Sequence, residues 1–296
     1  MEKTKKYSSV IIGHISLDRN IDFDGKSVET LGGAVLFSSA SAYALGHNVL
    51  AVTKLAAGDF SRLEAFSIPK ENVIALTGVS STSIQNQYLS EDKERRNCTC
   101  LSRGTPFSAC DIPNVQADIY HFAGLIFGDF DDETIKLCAK KGAAALDVQA
   151  CLRHADMENG TMYFKDWAQK EEILPLITYL KLDAAEAEIM TGTQDRRQAA
   201  KLLYSLGAKE ILITHNTEVL AYDGKRFYSC PIKSRNLSGR TGRGDTTFAA
   251  YINERLNNDI PDSLLWATAS VSLKMETPGP LKATRKDIED YITLFY

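Results

Sequence analysis

The chain has 296 residues, of which 44% are hydrophobic, 24% charged and 9% aromatic, a composition that excludes disordered, collagen-like and low-complexity proteins. Its 34 basic and 38 acidic side chains leave a net charge of -4, so neither nucleic acid nor an anionic membrane is expected as a partner. A chain this long buries roughly three quarters of the surface its unfolded form exposes, so a large core is available without disulfides, and the six cysteines, none in a C-x-x-C pair, read as free thiols of a reducing compartment.

In chain order, Val10-Ile11-Ile12 reads as a buried strand. It is too short for a signal peptide, and no run approaches the ~18 apolar residues of a membrane span, so a cytoplasmic protein is expected. Asn20 to Leu31 alternates polar and apolar residues around Asp24-Gly25, a hairpin signal. Ala34 to Leu45 predicts a helix of small residues ended by Gly46. A strand follows at Val49–Leu55. Ser83 to Leu101 alternates again, which suits strands with one wet face. The charged run Glu91, Asp92, Lys93, Glu94, Arg95 and Arg96 reads as a solvated strand or turn.

Beyond it, strands are predicted at Ile119–Leu125, Ala143–Val148, Tyr179–Leu182 and Glu210–Thr214, with helices at Asp132–Lys141, Ala184–Met190 and Arg196–Leu206. This alternation predicts one α/β domain over 1–296, a doubly wound, mostly parallel sheet flanked by helices. The segments at about 18–31 and 83–103 are expected to form a small antiparallel β lid. Open lid edges could pair two copies into a homodimer.

The stretch Gly239-Arg240-Thr241-Gly242-Arg243-Gly244-Asp245 carries the chemistry. Phe248, Ile252 and Leu256 recur every fourth residue after it, so Gly242, Arg243 and Gly244 should open a helix. There the first N–H groups lack internal partners and the dipole is positive, which makes an anion hole. Asp245 at its edge could take a proton from a hydroxyl, or could simply cap the helix. A nicotinamide-binding fold is excluded because no G-x-G-x-x-G follows the first strand, and no P-loop motif occurs.

Four landmarks in order resemble the ribokinase-like, or PfkB, family of carbohydrate kinases. Gly242-Arg243-Gly244-Asp245 matches the end of its D-T-x-G-A-G-D signature. Gly32-Gly33-Ala34 through Leu45-Gly46 matches its paired glycines and small-residue helix. Lys181-Leu182-Asp183-Ala184-Ala185-Glu186 matches its N-x-x-E motif, and Gly13 to Asp18 its first strand.

The resemblance implies transfer of a nucleotide γ-phosphoryl, by default from ATP, to a hydroxyl of a small polyol, sugar, cyclitol or nucleoside. It implies Asp245 as base, with Gly242, Arg243 and Gly244 donating N–H groups to the moving phosphoryl. Glu186 with Asp183 would organise Mg²⁺. Thr214 and Asn216 would line the nucleotide, and Asp18, Gly32, Gly33, Gln149 and Arg153 would hold substrate. Several positions depart from the pattern. Gly239-Arg240 replaces Asp-Thr, Arg243 replaces Ala, Asp183 replaces Asn, and Phe37 replaces a polar residue. The acid lost at Gly239 and gained at Asp183 suggests a swap that keeps the charge around Mg²⁺ constant, and Phe37 is expected to dry the substrate pocket. A feeble ligand-binding or regulatory protein on the same fold is the alternative.

Overall fold

The computed structural model describes residues 6–90 and 95–296. The charged run at 91–94 therefore lies outside the described residues. In chain order the elements begin with β1 (Lys6–Ile12), β2 (Ser16–Ile21), β3 (Ser27–Gly32), α1 (Ala34–Ala44), β4 (Val49–Ala56), β5 (Val73–Gly78), β6 (Thr82–Tyr88) and β7 (Arg96–Ser102). Next come β8 (Gln116–Phe122), α2 (Asp132–Ala139), β9 (Ala143–Asp147), α3 (Gln149–Leu152), β10 (Arg153–Ala155), β11 (Met162–Phe164), α4 (Lys170–Ile173), β12 (Ile177–Asp183), α5 (Ala184–Thr191) and α6 (Arg196–Ser205). The chain closes with β13 (Glu210–Thr214), β14 (Glu218–Tyr222), β15 (Phe227–Pro231), α7 (Arg243–Glu254), α8 (Ile260–Lys274) and α9 (Arg285–Phe295).

Nine strands form the central sheet in the order β15-β14-β13-β12-β9-β8-β1-β4-β5. All neighbours are parallel except β13·β14 and β14·β15. Its strands alternate between two cores. On β1, Val10 and Ile12 join the cluster that takes in α2, α5 and α6, while Ile11 faces the cluster of α1. On β13, Ile211 and Ile213 face the first of these, and Leu212 faces Phe248 and Leu264 of α7 and α8. Period-2 side-chain alternation on strands buried on both faces requires helices on both sides, as the sequence predicts.

The strand order reverses at β1, which sits between β8 and β4. Ligands of such sheets bind beyond the carboxyl ends at that switch point. The predicted hairpin β2–β3 and the alternating pair β6–β7 are each antiparallel, and they join through a parallel β2·β6 pairing, so the four-stranded lid is mixed rather than wholly antiparallel.

The far end of α7 is anchored by charge. The Glu254 side chain is 1% exposed and accepts from His47 Nε2 at 2.8 Å, Arg285 Nη1 and Nη2 at 2.6 and 3.0 Å, and Asn258 Nδ2 at 2.8 Å. Although burial opposes ionisation, these partners hold the carboxyl below its ordinary value. A lowered folded pKa stabilises the native state above the unfolded value and loses that contribution as pH falls through the folded value. Glu254→Gln should therefore cost about 2–3 kcal/mol in urea unfolding at neutral pH. Its difference from wild type should vanish in acid, and a constant difference would refute the assignment.

Candidate active site

Gly242 takes a left-handed conformation (φ 79°) as the N-cap of α7. A Cβ there would lie 2.2 Å from the Phe37 ring, so both the turn and the close approach require glycine. Arg243 N–H donates to the Arg240 carbonyl at 3.3 Å and Thr246 N–H to the Gly242 carbonyl at 3.0 Å. The N–H groups of Gly242, Gly244 and Asp245 find no acceptor among the described residues. They form an amide cluster at this helix start, but not the expected one, because the Arg243 N–H is taken up by the Arg240 carbonyl as the turn closes and the Asp245 N–H stands in its place. The small residues of α1 fix it in place. Ser38 Oγ donates to the Asp245 carbonyl at 3.4 Å and Ser41 Oγ to the Thr246 carbonyl at 2.8 Å, so α1 packs directly on the first turn of α7.

A buried charge cluster lies beneath these amides. Lys181 Nζ contacts Asp147 Oδ2 at 3.0 Å, Asp147 Oδ1 at 3.2 Å and Glu186 Oε2 at 3.7 Å. A Cβ on Gly244 would lie 3.1 Å from the same ammonium. Burial disfavours the ammonium, but Asp147 and Glu186 raise its pKa above the usual lysine value. Burial pushes Glu186 up to about 8, Lys181 opposing. Asp245 rises to about 6, through burial first and the Asp147 charge second, against Lys181, Arg153 and Lys274. Asp245 thus has the proton affinity of a base that works near neutrality.

Asp183 and Glu186 form a reciprocal capping box on α5. Asp183 Oδ1 accepts Glu186 N–H at 2.8 Å, and Glu186 Oε2 accepts Asp183 N–H at 2.7 Å. This leaves Glu186 Oε1 and Asp183 Oδ2 without a partner among the described residues. No group of three or more His, Cys, Asp or Glu that could hold a metal ion occurs among the described residues.

On the lid side, Asp18 lies in β2 with its Oδ1 buried and unpartnered. Burial raises its pKa against the pull of Ser16, Arg153 and Arg96. A Cβ on Gly32 would lie 2.5 Å from Asp18 Oδ2, and Gly33 N-caps α1. Arg153 is 6% exposed, and its Nε donates to the Leu125 carbonyl at 2.7 Å. Its charge acts on Asp18 and on Asp245 alike. Gln149 donates from its backbone to Asp147 Oδ1 at 3.1 Å and from Nε2 to the Gly124 carbonyl at 3.5 Å.

The remaining expected residues lie around this centre. Thr214 Oγ1 is engaged by the Leu182 carbonyl at 3.3 Å, and Asn216 is exposed beyond β13. Phe37 packs on Gly242 and lies 5.2 Å, ring centroid to ammonium, from Lys274. A Cβ on Gly239 would lie 1.9 Å from the Thr277 carbonyl, so close packing excludes a side chain there. The charge beside it belongs to Lys274, whose ammonium donates to the Gly239 carbonyl at 2.5 Å. Arg96 opens β7 as an exposed strand residue, as the solvated reading expects, and its charge also acts on Asp18. Asp147 and Lys181 were passed over as site residues, although one ends a strand carboxylate-first and the other sits inside an apolar strand.

A family model described as pfkB family carbohydrate kinase matches residues 8–286. A cytidine kinase from Thermococcus kodakarensis is 28% identical over 255 residues, spanning 82% of this chain and 86% of its own length. The structure of a pyrophosphate-dependent kinase in the ribokinase family, complexed with a pyrophosphate analog and myo-inositol, is 33% identical. It superposes with a TM-score of 0.86 and covers 95% of this chain and 99% of that one. Ribokinase of Arabidopsis thaliana, complexed with ribose and ATP, shares the fold at 16% identity, with a TM-score of 0.75 and coverage of 97% and 99%.

Proposed function

The chain belongs to the pfkB family of carbohydrate kinases, and from that premise we propose that it transfers a phosphoryl group from inorganic pyrophosphate to a hydroxyl of a cyclitol. That it is a phosphotransferase with a hydroxyl acceptor follows from the family. The choice of donor and acceptor rests on one observation: the structure holding myo-inositol and a pyrophosphate analog has twice the identity of the ATP-bound ribokinase. The site supports it. Groups suited to phosphate converge at the start of α7, where three amides and the Lys181 ammonium meet.

In this reading Asp245 takes the hydroxyl proton as the acceptor attacks. The amides of Gly242, Gly244 and Asp245 receive the charge on the transferring group, since phosphoryl transfer asks mainly for positioning and charge stabilisation. Asp18 and Arg153 hold acceptor hydroxyls beside Gly32, Gly33 and Gln149. Mg²⁺ would be held by Glu186 and Asp183 through their unpartnered oxygens, together with phosphate oxygens and water. That coordination suits this ion, and it would neutralise donor charge. The unfilled amides and the retained base argue against a merely regulatory protein. The open outer edge of β3, where Val28 is 59% exposed, is where the homodimer would pair. No helix among the described residues is long and apolar enough to cross a membrane.

Phosphate-release and ³¹P NMR assays of pyrophosphate, ATP and ADP against inositols, ribose and cytidine test the proposal. A phosphorylated inositol made from pyrophosphate is the expected product. Turnover of cytidine with ATP, pyrophosphate being inert, would instead favour the nucleoside reading that the cytidine kinase likeness supports.

A further inference from the structure

Lys274 ends α8 and is 1% exposed, yet none of the chemistry above uses it. Its ammonium donates to the Gly239 and Thr241 carbonyls and lies 5.2 Å from the Phe37 ring centroid. Further backbone groups crowd the same loop. Gly239 N–H donates to the Met275 carbonyl at 2.7 Å, and a Cβ on Gly239 would meet the Thr277 and Lys274 carbonyls. Two carbonyl oxygens of one short loop thus point at a single buried positive charge, immediately before the Gly242–Asp245 turn. Carbonyl dipoles that converge away from water repel each other unless a cation lies between them. A buried ammonium in turn persists only when such acceptors satisfy its donors.

We infer that Lys274 is a tethered cation that holds residues 239–242 in the conformation presenting the amides of Gly242, Gly244 and Asp245 to the donor, in the place where a free monovalent ion would otherwise be needed. Lys274 is a positioning residue, since its contacts are to the loop and not to reacting atoms. Its charge also acts on Asp245, and burial lowers its own pKa to about 8. An ammonium and a K⁺ ion are of similar size and both bind carbonyl oxygens, so the tether should make free K⁺ unnecessary. The inference rests on the phosphoryl-transfer reading of residues 242–245, whatever the donor.

The test is cation dependence, with the donor and acceptor that the wild type turns over. Wild type in tetramethylammonium buffer should run as fast as with added K⁺ or NH₄⁺, and a K⁺ requirement would overturn the inference. Lys274→Ala should lose about 100-fold in kcat/KM, the scale for a lost oxyanion-hole donor. K⁺ or NH₄⁺, but not Li⁺, should restore much of that loss. A folded variant with wild-type rates, or a folded inactive one that no cation rescues, would defeat the cation role. If the variant unfolds, Lys274→Ser, which also leaves room for an ion, is read the same way. Failing both, melting decides: a rise in Tm with K⁺ over tetramethylammonium supports the inference and no rise overturns it. Calorimetric titration of pyrophosphate into both proteins keeps this separate from the functional reading, because weaker binding to Lys274→Ala is expected even if no acceptor is found.

Discussion

Asp245→Asn is expected to lower turnover at least ~100-fold, the usual scale for a positioned general base, with the fold intact. Asparagine keeps the size and leaves the backbone untouched, so the amides of the α7 start and the Ser38 and Ser41 contacts persist. What is lost is the capacity to accept a proton. The carboxyl is raised to about 6 by burial and the Asp147 charge, and only its ionised form can act. The wild-type kcat/KM should therefore rise as pH increases through about 6 and then level, and the residual rate of the variant should lack that limb. Stability moves the other way. A raised folded pKa means that ionisation weakens the native state as pH climbs past the unfolded value, so the asparagine variant should melt at or above the wild-type temperature at neutral pH. Functional sites often carry such an exchange of stability for activity. A variant within a few-fold of wild-type turnover would remove Asp245 from the chemistry.

Local physics was legible in the sequence. The α7 start could be read because glycine conformation, the helix dipole and orphan amides all act within one turn. The small residues of α1 announced close helix packing, and the alternation of 20–31 and 83–101 announced the lid. The β14–β15 hairpin was missed despite its Asp223-Gly224 turn, because Glu218–Tyr222 shows no clean alternation and is buried at four of its five positions. Lys181 was hidden by range, since its partner Asp147 lies on the neighbouring strand 34 residues away. Lys274 reads as an ordinary cation at a helix C-terminus, and only the fold brings the Gly239 carbonyl, 35 residues upstream, onto its ammonium. Charges whose partners come from other strands are set by topology, and topology is what a single sequence states least directly.

Lys181→Met should destabilise the protein by about 3–5 kcal/mol, the range for removing one partner of a buried ion pair. Methionine keeps much of the volume, so the loss is electrostatic rather than a cavity. Asp147, at 2% exposure, and Glu186, at 3%, would remain buried without their cation. The pH dependence separates this account from simple repacking. Glu186 already sits at about 8 with the ammonium beside it, and removing the opposing charge moves it further up. A raised folded pKa makes stability fall as pH climbs from the unfolded value through the folded one. The deficit of Lys181→Met measured by urea unfolding should therefore be largest in alkali and shrink in acid, where Glu186 takes up its proton. Adding Asp147→Asn should recover part of the loss, because it removes the carboxylate that the ammonium directly contacts, and contacts this close couple non-additively. Activity should fall as well, since the same ammonium lies beneath Gly244 and would face donor phosphate. A deficit that is flat with pH, or unchanged by Asp147→Asn, would mean that Lys181 only fills space.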